Sequence, residues 1–138
     1  MSTTGIAKAI LTIGLAHPPP PSMQAMLKEL GVQPAAIAAS AQNSIQKARD
    51  AGYDIQSVLI TPGQGEASDG VDKLVAKLPE RAWDGIMVGF GVRGTPEYTT
   101  TFEKVMNLFK EQCPDVKVGF NSRPDDLYDA IVRNFDGK

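Results

Sequence analysis

The chain has 138 residues, a length that suits one compact domain and leaves no room for two. Apolar residues make up 42% and charged residues 22%, and 14 basic against 16 acidic side chains give a net charge of −2 and a pI near 5.3. That balance lacks the basic footprint that nucleic acid or an anionic membrane surface requires, and a single Cys with a single His excludes a disulfide framework and any zinc site built on several such ligands.

No apolar run approaches the roughly 20 residues that span a bilayer. The apolar run 9–16 follows Lys8 and meets no small-residue cleavage signal before His17 and Pro18. It reads as a buried strand and not as a secretory signal. With Cys113 as the lone thiol, a cytosolic setting is expected.

In chain order, residues 7–14 are mostly apolar, as expected of a strand covered on both faces. Four prolines follow, Pro18 to Pro21, which favour an extended segment. Ser22 is placed to cap a short helix over 23–30 that Gly31 ends. A second helix is predicted over 34–51, with Pro34 suited to its first position and Gly52 to its stop. Its front half, Ala35, Ala36, Ile37, Ala38, Ala39, Ser40 and Ala41, carries no charge. Such a small-residue surface allows close backbone approach, either to the sheet or to a second copy of the chain.

Residues 55–61 read as the second strand and lead into a loop, Pro62, Gly63, Gln64, Gly65 and Glu66. A helix follows with Val71, Leu74, Val75 and Leu78 at helical spacing, capped by Ser68 or Asp69. Residues 85–90 form the third strand. Thr95 and Pro96 then make a cap and first-turn pair for a helix with Tyr98, Phe102, Val105, Met106 and Phe109 on one face. Pro114 stops that helix, 116–120 is the fourth strand, and Pro124 opens a last helix with Leu127, Ile131, Val132 and Phe135 on one side.

Strands alternating with helices of crossover length imply parallel βαβ units with right-handed connections. The expected fold is a three-layer α/β/α domain over 1–138, with a four-stranded parallel sheet in the flavodoxin-like order 2-1-3-4. In such a sheet ligands bind beyond the carboxyl ends of the strands, where the strand order reverses. The loops leaving those ends carry His17, the stretch 61–66, the stretch 89–95, and Asn121, Ser122 and Arg123.

The sharpest local pattern is Gly89, Phe90, Gly91, Val92, Arg93 and Gly94, a G-x-G-x-x-G run between a strand and a helix. Glycines let backbone N–H groups approach a phosphate, and the following helix start favours negative charge. Arg93 adds a bidentate donor for phosphate or carboxylate, and Thr95 closes the turn. Against a dinucleotide fingerprint, the run follows the third strand, its helix begins after the third Gly, and the acidic residue expected at the next strand end is replaced by Asn121, Ser122 and Arg123. That basic end suits a ribose 2′-phosphate, so a reduced NADP-binding domain is an alternative; so is a tight turn with no ligand.

The 61–66 loop lacks the Gly-Lys-Ser/Thr end of a P-loop. Glu66 is a candidate general base and otherwise a solvated carboxylate near a helix start. His17 is the one side chain whose ordinary pKa lies near neutrality, a candidate acid–base group or anion contact, and otherwise a turn residue beside rigid prolines. Asp125 and Asp126 fall in the first helical turn after Pro124, where dipole partners are expected, so no metal is assigned to them. Cys113 and Trp83 read as packing residues.

In size and alternation the chain resembles response-regulator receiver domains, but their acidic pair and phosphoacceptor Asp are replaced here by Leu15, Ala16 and His17 and by Gly89, Phe90 and Gly91. Flavodoxin's Ser/Thr-rich phosphate loop is replaced by prolines. Three functions are carried forward: binding of a small anionic ligand at the strand ends, a non-catalytic dimerisation or interaction module working through residues 35–41, and the NADP-binding domain. Neither a cofactor nor a reaction follows from the residues.

Overall fold

The computed structural model describes residues 8–15, 21–31, 33–60, 70–89, 92, 98–122 and 126–135. Their order is β1 (Ala9–Leu15), α1 (Pro21–Leu30), α2 (Pro34–Asp50), β2 (Asp54–Ile60), α3 (Val71–Lys77), a 3₁₀ turn (Leu78–Glu80), β3 (Gly85–Val88), α4 (Thr99–Gln112), β4 (Lys117–Phe120) and α5 (Leu127–Phe135). The four strands form one parallel sheet in the order β2-β1-β3-β4, as the sequence predicts.

Helices cover both faces. On one face α3 and α4 bring Val71, Leu74, Val105 and Phe109 onto Leu11, Ile13, Ile60, Ile86 and Val88. On the other, α2 and α5 bring Ala48, Leu127, Ala130, Ile131 and Phe135 onto Ile10, Ile55 and Met87. Strand β1 has a neighbour on each side, and Ile10, Leu11 and Ile13 are buried to within 1% of completely. Each such side chain contributes about 1.5–3 kcal/mol on leaving water.

The amino ends of the strands are laced by polar contacts. Asp84 donates its N–H to the Ala9 carbonyl at 2.8 Å and accepts the Ala9 N–H on its carboxylate at 2.7 Å. Arg81 pairs with Asp54 at 2.7 Å and lies over the Trp83 ring. Trp83 is buried, with its indole N–H on the Leu78 carbonyl, in the packing role expected of it. Lys8 and Lys117 donate to the carbonyls of Phe135 and Asn134, which places two cations at the negative end of the α5 dipole.

Several boundaries differ from the sequence expectation. α1 starts at Pro21, so Ser22 lies inside the helix and is not its cap; the ring-fixed φ of a proline already suits a first helical position. α3 is entered from Gly70 at φ 84°, with no side-chain cap. A Cβ there would lie 3.0 Å from the Ile60 backbone, so space and conformation both select glycine. Ser68, Asp69, Thr95, Pro96 and Pro124, the other expected helix-start residues, lie outside the described residues. β3 ends at Val88, two residues short of the expected end. Val75 is 45% exposed and does not share the buried face of Val71 and Leu74.

Among the described side chains at the start of α2, Ser40 and Ala41 are part-buried. Ala35, Ala36 and Ala39 are exposed, and the helix becomes buried only at Ser44 and Ala48. There it is tied to α5: the Tyr128 N–H donates to the Ser44 hydroxyl at 2.9 Å, and Lys47 lies over the Tyr128 ring.

Two glycines let α5 seat closely. A Cβ at Gly85 would overlap the Phe135 ring, and one at Gly119 would lie 2.7 Å from Asn134 Nδ2 and 2.8 Å from Met87 Sδ. Overpacking of this kind costs about 1–3 kcal/mol. Gly85→Ala is therefore expected to lower stability by about that amount, measured by urea unfolding. Adding Phe135→Leu should show coupling between the two sites.

Candidate functional site

Parallel register fixes which residues share a row across the sheet, and alternation fixes the face. On the α2/α5 face the first row, at the amino ends, is Ile55, Ile10, Gly85 and Lys117. The second is Ser57, Thr12, Met87 and Gly119. In the third, Leu59 pairs with Gly14, and the row continues through Gly89 and Asn121, each one residue beyond its strand. Gly89 donates its N–H to the Ile13 carbonyl at 2.9 Å. A Cβ on Gly89 would lie 3.9 Å from both the Gly14 Cα and the Asn121 Oδ1.

The rows change character toward the carboxyl ends. The first is apolar over Ile55, Ile10 and Gly85, with Phe135 against Gly85, and ends in the exposed Lys117. In the second, Thr12 and Ser57 share a hydroxyl–hydroxyl hydrogen bond of 2.7 Å, with Thr12 buried and Ser57 exposed. In the third, Leu59 is 51% exposed and both Gly14 and Gly89 are part-exposed. Among the described residues at the start of α2, Ala35, Ala36 and Ala39 are exposed. The third row lies at the reversal of strand order between β1 and β3.

Of the residues the sequence nominates, Gly89 and Asn121 come together in this row. Ser122 follows Asn121, and its backbone N–H is taken by the Asp126 carboxylate at 3.1 and 3.2 Å. The β4 exit therefore already holds a negative group, in a loop-bracing role. Within the G-x-G-x-x-G run, Val92 is fully buried in the α3/α4 core and donates its N–H to the Gly89 carbonyl, which pins the turn from inside. His17, Glu66, Gly91, Arg93, Gly94, Thr95 and Arg123 lie outside the described residues.

Sequence reasoning missed Thr12, Gly14, Ser57 and Leu59. A partial signal was present: Thr12 and Gly14 interrupt an apolar strand at alternate positions, but their pairing with Ser57 and Leu59 follows only from the register. Among the described residues no group of three or more His, Cys, Asp or Glu side chains is placed to hold a metal ion, and no helix is long and apolar enough to cross a membrane.

Cys113 closes α4, half-buried, and burial pushes its thiol up. Burial disfavours the thiolate, so the folded protein holds less of it at a given pH than the unfolded chain does. Iodoacetamide labelling near neutral pH should be slower in the native protein than in urea and should accelerate only at more alkaline pH; equal rates in both states would remove the shielding. Compared with protein-family models, with curated proteins and with solved structures, the chain matches none of them.

Proposed function

We propose that the protein binds a small anionic ligand at the carboxyl ends of β1 and β3. One observation carries this reading: the sheet is wholly parallel and its order reverses between those two strands, where Gly14 and Gly89 leave the backbone bare. The loops that follow β1, β3 and β4 in the sequence contain His17, Arg93 and Arg123 respectively; the two arginines supply positive charge, with Gly91, Gly94 and Thr95 as backbone contacts. Asp126 at the β4 exit directs the anion toward β1 and β3, away from Ser122. His17 and Glu66, which follow β1 and β2 in the sequence, are the candidate acid–base groups of this reading. The strand order is read as flavodoxin-like and the setting as cytosolic.

A ligand that prefers the folded state raises apparent stability, by about 2.7 kcal/mol at a hundred times its Kd. Ribose 5-phosphate at millimolar concentration should raise the melting temperature, and Arg93→Ala should abolish the rise. An unchanged rise in the variant would remove Arg93 from the site, and no rise with any phosphate or carboxylate probe would remove the function.

A second reading, a homodimer formed through residues 35–41, is supported by the exposure of Ala35, Ala36 and Ala39, with Leu30 67% exposed on the preceding helix. Sedimentation over a range of concentrations should then show a dimer that Ala39→Glu dissociates; a wild type that stays monomeric at every concentration ends this reading.

A further inference from the structure

We draw no further inference here: the strongest candidate, the apolar ridge that Met26 and Leu30 form on the exposed side of α1, carries nothing because nothing among the described residues shows what covers it.

Discussion

The constraint on which this molecule depends is the register of β1 between β2 and β3. One strand, seven residues long, pairs on both sides in parallel and fixes which residues stand side by side on both faces. Alternation along it sends Leu11 and Ile13 to the α3/α4 core and Ile10 to the α2/α5 core. A slip by one residue would exchange those sets and bring Thr12 into the larger apolar core. The same register aligns Leu59, Gly14, Gly89 and Asn121, so the packing of the core and the shape of the candidate site come from a single alignment.

The two ends of the sheet are built for different tasks. At the amino ends, charged side chains brace the backbone: Asp84 on Ala9, Arg81 on Asp54, and Lys8 and Lys117 on the last carbonyls of α5. Their charges are engaged in holding strands and helix together. Toward the carboxyl ends of the α2/α5 face, the described residues become small, polar or bare. Among the described residues the carboxyl edge is braced only at β4, where Arg133 donates to the Phe120 carbonyl and Asp126 takes the Ser122 N–H.

Much of the fold was legible because each strand is an apolar run closed by Gly, Pro or a polar turn, and each crossover carries a 3.6-residue pattern. Boundaries were less legible where two residues competed for one role. Pro21 and Ser22 are both helix-start residues, and the ring-fixed φ of Pro21 makes it the start. Gly70 took the entry to α3 because the approach of Ile60 leaves no room for a Cβ. At the start of α2 the sequence left two surfaces open, because alanine buries little apolar area and a run of small uncharged residues favours neither the sheet nor a second copy strongly. Part of the site was visible in Gly89 and Asn121, which sit at strand ends. Thr12, Gly14, Ser57 and Leu59 were not, because they become neighbours only through register between strands more than forty residues apart in the chain.

The position of β2 at the rim of the sheet has a consequence for how this protein behaves in crowded solution. Among the described residues, one side of its backbone has no partner strand. Its amino end is guarded by Asp54 and Arg81, whereas its last four residues, Ser57, Val58, Leu59 and Ile60, carry no charge at all. Such a rim is a template for intermolecular strand addition, which proteins commonly deter with lysine, proline or a bulge. Among the described residues the deterrent sits at the amino end of β2, so colloidal stability at high concentration rests on what shields the uncharged end.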